Sequence, residues 1–346
     1  MNVQLWTTAA KMLLWIIFLL QVTPIMVWVE RRGGALIQDR LGPNRVGPLG
    51  LFQSLADAVK FIFKEDIIPS AADRSLFLLA PVLAVVPAMT TFLVLPFGPD
   101  IEIAGETVKL MVVDADTGIL LFLALASLSV YSLVMAGYAS NNKFSLLGSI
   151  RATSQMISYE LALGLAAVTV LLPVGSLRLD EVVLYQQGTW LGFLPRWNVF
   201  PQAIGFLVFM VAAFAETNRL PFDLPEAESE LVAGYHTEYS SMKFALFFMG
   251  EYMSMATLSA LGATLFLGGW HLPGIAFDGG PLMNALLGFS ILATKIAAIL
   301  LFFVWVRWSF PRFRFDQLLR LGWKVLLPLA LLNFVAVAAM TLAGWL

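Results

Sequence analysis

The stretch Ala215-Glu-Thr-Asn-Arg-Leu-Pro-Phe-Asp-Leu-Pro-Glu-Ala-Glu-Ser-Glu230 gathers five acids, Glu216, Asp223, Glu226, Glu228 and Glu230, into one short connection. On either side lie apolar runs of lipid length, 199–215 and 242–268. Ionisable groups beside a bilayer are costly and mark water-filled paths for ions or protons. The chain therefore reads as part of a membrane machine that moves charge. A milder reading stands beside it. Asp223, Pro225 and Glu226 spell a capping box for a short helix, whose positive end would stabilise Glu228 and Glu230. Against that reading, Glu226 and Glu230 stand four apart on one helix face, where like charges repel, and a cap does not use five acids.

Working outward, the composition agrees with a membrane protein. Of 346 residues 59% are hydrophobic and 13% charged, where a soluble domain carries about 25% charge, and the mean hydropathy is +0.83. Runs of about 20 apolar residues are needed to span the hydrocarbon core. Eight are present, at roughly 12–29, 76–97, 117–139, 155–174, 199–215, 242–268, 285–306 and 324–345. The expected fold is an all-α polytopic membrane protein, residues 1–346 forming a single integral membrane domain. The first span runs straight into Trp28, Glu30, Arg31 and Arg32 with no small-residue cleavage pattern, so it is expected to remain in the mature chain. Connections after the first, third, fifth and seventh spans hold sixteen of the 21 Lys and Arg, against four (Lys11, Lys109, Arg178, Arg196) on the other side. The positive-inside rule then puts the acidic loop, 216–241, on the inner side and both termini outside.

There is no Cys, so this chain alone builds no iron–sulfur cluster, thiolate metal site or Cys nucleophile. His236 and His271 fall in successive connections flanking one span, on opposite sides of the membrane, and cannot share a metal or haem. Any electron carriers belong to partners.

Two inner connections carry structure of their own. In 31–75, Gly33, Gly34, Gly42, Pro43, Gly47, Pro48 and Gly50 write tight turns. Leu51, Phe52, Leu55, Ala58, Val59, Ile62 and Phe63 then recur at helical spacing opposite Gln53, Asp57, Lys60 and Lys64. At about 14 residues that helix is too short to span, so it lies in the interface, either as a plain surface helix or framing an opening to a cavity. A short helix after Asp223 is expected in the third inner loop.

Few ionisable residues fall inside spans. Glu160 lies about six residues into the fourth and Glu251 about ten into the sixth, roughly 9 and 15 Å deep at 1.5 Å per residue, and Lys295 is near the middle of the seventh. Depth alone lets Glu251 meet Lys295 as a buried structural pair. Glu160 has no evident basic partner and is the better candidate for a group that takes and releases a proton.

Together with the acidic loop, Glu30-Arg-Arg-Gly-Gly34, Gln38-Asp39-Arg40, Gly42-Pro-Asn-Arg-Val-Gly47, Lys64-Glu65, Ser158-Tyr-Glu160, Arg312-Phe-Arg-Phe-Asp-Gln317 and Gly322-Trp-Lys324 resemble one family across almost the whole chain. It is the quinone-site membrane subunit of respiratory complex I, the proton-pumping NADH:quinone oxidoreductase (mitochondrial subunit 1 and its bacterial counterpart). The resemblance implies eight spans in a bacterial inner or mitochondrial inner membrane, in contact with membrane lipids and with no nucleic-acid partner. It implies a chamber for ubiquinone or menaquinone as substrate, completed by hydrophilic-arm subunits, with NADH, FMN and iron–sulfur clusters in partner subunits. Small membrane-arm subunits would lead on to antiporter-like subunits. By motif, Glu30, Arg31, Arg40, Asp57, Arg219 and Phe222 would line or support the chamber, with Phe52 and Leu55 at its entrance. Glu160, Glu216, Asp223, Glu226, Glu228 and Glu251 would begin a proton path. For Arg31, Arg40 and Arg219, docking onto the partner arm is the other reading. No metal is expected. An energy-converting hydrogenase or formate hydrogenlyase membrane subunit and a stand-alone ion-coupled transporter are the alternatives. The entrance motif at 30–47 speaks against the first, and the lack of paired halves against the second.

Overall fold

The computed structural model describes residues 2–103, 105–190, 192, 194–226, 228–275, 277 and 279–345, with the side chains of all of these but 2–5, 103, 228 and 229. Among them, seven helices are long and apolar enough to cross a membrane: α1 (Asn2–Ile37), α3 (Arg74–Thr91, extended by a 3-10 turn to Val94), α4 (Gly118–Ala139), α5 (Lys143–Val174), α9 (Ser241–Phe266), α10 (Pro281–Ser309) and a last segment, Phe315–Leu342. That segment runs from α11 (Phe315–Leu321) through a π turn (Gly322–Leu326) into α12 (Leu327–Leu342). Short helices α2 (Gln53–Phe63), α6 (Leu179–Tyr185) and α8 (Glu228–Leu231) lie in connections.

The fifth expected span folds as a shorter apolar helix, α7 (Ala203–Glu216), which at 14 residues and 1.5 Å per residue reaches only about 21 Å. The chain leading into its N-terminal end is held by polar side chains. Asn198 Nδ2 donates to Leu265 O at 2.9 Å, and Gln186 Oε1 accepts from the amides of Asn198 (3.2 Å) and Gly268 (2.9 Å). Non-helical backbone is tolerated at depth where protein groups satisfy it in this way.

Local chemistry fixes several ends. Asp73 caps α3, accepting from the amides of Ser75 (3.0 Å) and Leu76 (3.2 Å). Asn142 caps α5 through the amide of Phe144 at 2.9 Å, and Gly175, at φ 74°, ends it. At the centre, α9 packs on α3, α7 and α10, and α5 on α4, α7 and α12. Gly250 lets α9 meet α3 closely, since a Cβ there would stand 2.7 Å from the carbonyl of Ala84.

The interfacial helix is α2. Its Ser54 hydroxyl donates to Pro24 O of α1 at 2.8 Å, while Leu55, Val59, Ile62 and Phe63 are exposed, as befits an apolar face lying in lipid. The other inner helix differs from expectation. Only Glu228–Leu231 is helical, and no cap forms from Asp223, whose Oδ2 instead accepts from Arg312 Nη2 at 2.7 Å. A charge-assisted bond to a guanidinium is about twice as strong as a neutral one, which explains why the carboxyl leaves the helix end.

The Glu251–Lys295 pair does not exist either. Lys295 Nζ donates to three carbonyls past the end of α9, Leu267 (2.6 Å), Gly269 (2.8 Å) and His271 (2.6 Å), and lies 5.0 Å from the centre of the Trp197 ring. An ammonium has three donors, and all are used to tie α10 to the outer end of α9. Depth matched the two residues, but the carbonyls of an ended helix satisfy the cation locally. Glu251→Gln and Lys295→Met should consequently lower the thermal midpoint of the detergent-solubilised protein independently. The double variant should match the sum to within about 0.5 kcal/mol, and mutual rescue would contradict these contacts.

Candidate functional site

A cavity of about 550 Å³ opens between α1, α2 and the N-terminal half of α9. Leu20, Val27, Leu55, Phe61, Phe248 and Met249 give it apolar walls, and Glu30, Arg31, Asp57, Arg219, Tyr252 and Arg307 a polar side. Pockets of roughly 300–1,000 Å³ with apolar walls and a few fixed polar groups are what small-molecule sites use. The length of α1 makes the arrangement possible. Its 36 residues reach roughly 54 Å, well beyond the ~30 Å of a hydrocarbon core, and Glu30 and Arg31 lie in its C-terminal third.

Glu30 is the hub. Its Oε1 is 2.5 Å from Arg307 Nη1, and its Oε2 accepts from Tyr252 OH at 3.0 Å and Arg219 Nη1 at 3.5 Å. Arg219, 5% exposed, lies over the Tyr252 ring at 4.2 Å from its centre. Burial alone would lower the pKa of this guanidinium, but Tyr252, Glu30, Glu251 and Glu226 outweigh it and raise the value above the ordinary one. On α2, Asp57 is bonded by Arg31 (2.6 Å), Gln53 (3.1 Å) and Lys60 (3.3 Å). Burial pushes its carboxyl up, but these bonds, with the charge of Arg31, bring it below the usual range.

Arg219 also faces away from the cavity. Its Nη2 is 3.9 Å from Glu251 Oε2, and Glu251 Oε1 accepts from Tyr235 OH at 3.0 Å. One cation thus stands between a carboxylate on the cavity wall and one in the membrane-embedded part of α9. Beyond Glu251 a small cavity of about 30 Å³ leads to Glu216, and another of about 20 Å³ continues from Glu216 to Thr91 and Thr257. Glu216, the last residue of α7, is 7% exposed, and its Oε2 has no hydrogen-bond partner among the described residues. Glu160 of α5 accepts from the Ser127 hydroxyl of α4.

The other expected site residues lie elsewhere. Arg40 is exposed in the turns after α1, donating to the Gln38 side chain at 2.8 Å. Phe52 is half-exposed outside the cavity, its ring against Gly47, whose φ of 72° and lack of Cβ leave the ring its place. Phe222 is buried between Tyr159 and Phe313, ring centres 5.4 and 5.5 Å away. Glu226 Oε1 is 4.0 Å from His236 Nδ1, and Glu230 is 2.5 Å from Arg151. The Glu228 side chain falls outside the described residues. Tyr252, Arg307 and Tyr235 escape sequence reasoning. Arg307 reads only as a basic residue at a span end, and Tyr252 has one adjacent signal, its place directly after Glu251.

Burial and the neighbouring Glu226 raise Asp223 to about 6, against the lowering pull of Arg312 and Arg307. The folded value lies above the unfolded one of about 3.9, so the folded chain holds a proton that the unfolded chain has lost between about pH 4 and 6. Stability from this site is therefore lost as pH rises through about 6. Asp223→Asn, which stays neutral, should raise the thermal midpoint at about pH 8 relative to the parent, with the gap shrinking as pH falls from about 6 and closing near about pH 4. A gap that widened in acid would reverse the sign.

Comparison with known proteins matches the sequence to a family. The family model described as NADH dehydrogenase covers residues 10–338. The chain is 48% identical over 336 residues to an NADH-quinone oxidoreductase subunit of Geobacter sulfurreducens, covering 97% of this chain and 95% of that protein. It is 47% identical over 346 residues to "NADH-quinone oxidoreductase subunit 8" of Rhodothermus marinus, 98% of each. To an NADH-quinone oxidoreductase subunit of Salinibacter ruber it is 47% identical over 341 residues, 96% of this chain and 95% of that one. With a family match across nearly all of its length and identities near one half to its relatives, this multi-pass membrane chain belongs to the NADH dehydrogenase family.

Proposed function

We propose that this chain is the membrane subunit of a proton-pumping NADH:quinone oxidoreductase, that its cavity receives the quinone, and that its buried acids pass on the charge change when the quinone is reduced. One observation carries the proposal: a tail-compatible apolar cavity ends on a cation, Arg219, which a second carboxylate, Glu251, shares from the membrane side. The fit to a quinone is chemical. A polyprenyl tail matches Leu20, Val27, Leu55, Phe61, Phe248 and Met249, and carbonyl oxygens can accept from Arg31, Arg219 or Tyr252. Two-electron reduction of a bound quinone creates demand for two protons. This chain, with no Cys, holds no iron–sulfur cluster, so NADH, FMN and those clusters belong to partner subunits.

The role of each group follows from its contacts. Glu30 holds Arg219 and Arg307 in place; Arg31 and Asp57 brace α2 against α1 at the cavity mouth with Leu55. Glu251, Glu216 and Glu160 form the path into the membrane arm, with Asp223, Glu226 and Glu228 as its loop-side members. Acids this close titrate as a group. Arg40 and Phe222 serve outside the cavity, Arg40 toward the hydrophilic-arm subunits and Phe222 in fixing the acidic loop on α5. Small membrane-arm subunits would take the path onward to antiporter-like subunits. The relatives named above are bacterial, which supports the bacterial inner membrane. The distribution of Lys and Arg supports both termini on its outer side.

The test is tail length. Leu55→Trp and Phe61→Trp narrow the apolar walls without touching the charged end. Each should raise KM for long-tail quinones several-fold more than for short-tail analogues in the assembled complex, while electron transfer from NADH to an artificial acceptor stays normal. Equal effects on both tail lengths would remove the cavity from the quinone's route.

A further inference from the structure

We propose that Ser254 of α9 is a proton-passing hydroxyl which, with Glu216, joins two water-holding cavities into one path through the membrane. This rests on the reading above that the buried acids carry protons.

Both small cavities are walled by the same three residues, Ser129, Glu216 and Ser254. Volumes of about 30 and 20 Å³ exceed the 10–15 Å³ or so that one water needs, and each cavity, though partly apolar, offers hydroxyls and the Glu216 carboxyl as partners. The carboxylate at the septum has an oxygen to offer: Glu216 Oε2 is buried and accepts no hydrogen bond among the described residues. On α9, Glu251, Ser254 and Thr257 follow at intervals of three, which places them along one face. That face runs from the Arg219 contact toward the membrane interior.

The hydroxyls along the path are not equivalent. Thr257 donates to Ser254 O at 2.9 Å, Ser129 to Ala126 O at 2.7 Å, Ser132 to Ser129 O at 2.6 Å and Thr91 to Ala88 O at 3.0 Å. Each has its proton committed to a helix carbonyl and is left to accept. Ser254 makes no side-chain hydrogen bond among the described residues. Its hydroxyl alone in these walls is free both to accept a proton from a water on one side and to release its own on the other. The step balances: one O–H bond forms at Ser254 Oγ, another breaks there, and the residue ends neutral as it began.

The experiment uses the whole complex, purified and in proteoliposomes, with Ser254→Thr, Ser254→Val and Glu216→Gln. Thr and Val have the same shape, so their difference isolates the hydroxyl. We expect Ser254→Thr to keep most of the NADH:quinone turnover. Ser254→Val should lose about tenfold, equivalent to 1.4 kcal/mol on a barrier, with a larger solvent deuterium isotope effect and normal electron transfer to an artificial acceptor. Should Ser254→Val fail to assemble, Ser254→Ala, which only removes an atom, takes its place. Equal turnover and equal isotope effects for the hydroxyl-bearing and hydroxyl-free variants, with Glu216→Gln impaired, would overturn the role of Ser254 alone. Full turnover and full pumping in Glu216→Gln would overturn the acid path itself.

Discussion

A guanidinium removed from water has to be matched by acceptors, and the arrangement of this protein turns on how Arg219 is matched. At an effective dielectric near 20, a carboxylate about 4 Å away contributes about 4 kcal/mol, comparable to the several kcal/mol that burying one ion costs. One carboxylate is therefore barely enough. Glu30 at 3.5 Å, Glu251 at 3.9 Å and the face of Tyr252 at 4.2 Å together hold the cation. Those partners come from α1 and α9, with Arg307 from α10 closing on Glu30. The ion cluster thus fixes three helices and the loop after α7 at one point. Loss of any member leaves an uncompensated buried charge, a change worth about 3–5 kcal/mol, so the cavity's polar end cannot relax without the rest.

Helix length does the positioning. A helix matched to the bilayer would end Glu30 at the hydrocarbon edge; α1 overshoots, and its excess turns become the cavity wall on which α2 is braced by Asp57 and the Ser54 hydroxyl. α7 falls short of that length, and its last residue, Glu216, stays buried. One mismatch makes a site that a substrate can reach, the other a carboxyl that bulk solvent does not solvate. Sheets play no part in this; the two small antiparallel hairpins, Ile101–Ile103 with Glu106–Val108 and Thr189–Trp190 with Leu194–Pro195, lie in connections between helices.

What is legible in the sequence follows from the range of each force. Seven spans can be read because lipid demands uninterrupted apolar length, and α2 because an interfacial helix must sort its faces. Partners of buried charges cannot be read, since depth is one coordinate of three. Lys295 and Glu251 share a depth, yet three carbonyls take the first, and Tyr235 and Arg219 the second. The capping box after Asp223 is a valid local signal beaten by a residue 89 positions away, Arg312. Arg307 carries no local signal, because an arginine at a span end is ordinary, and Tyr252 has only its place directly after Glu251. Glu30, Arg31 and Arg219, which wall the cavity, are marked in the sequence by motif, and Leu55 and Asp57 also by the helical spacing of their segment.

A cation shared by two acids on opposite sides is also a means of communication. Whatever charge or hydrogen-bond acceptor enters the cavity near Arg219 competes with Glu30 and Glu251 for the same N–H groups. Two of its nitrogens, Nε and Nη2, lack a well-formed hydrogen bond, so both can still donate to an acceptor in the cavity. As Arg219 turns toward the cavity, Glu251 keeps only the Tyr235 hydroxyl and loses the guanidinium that balances its charge. The change need travel no further than one side chain to pass from the cavity wall to the acid on α9. That economy is physical: packed interiors respond by switching between discrete contacts and not by gradual deformation, and Arg219 has two such sets of contacts within 4 Å of its own nitrogens.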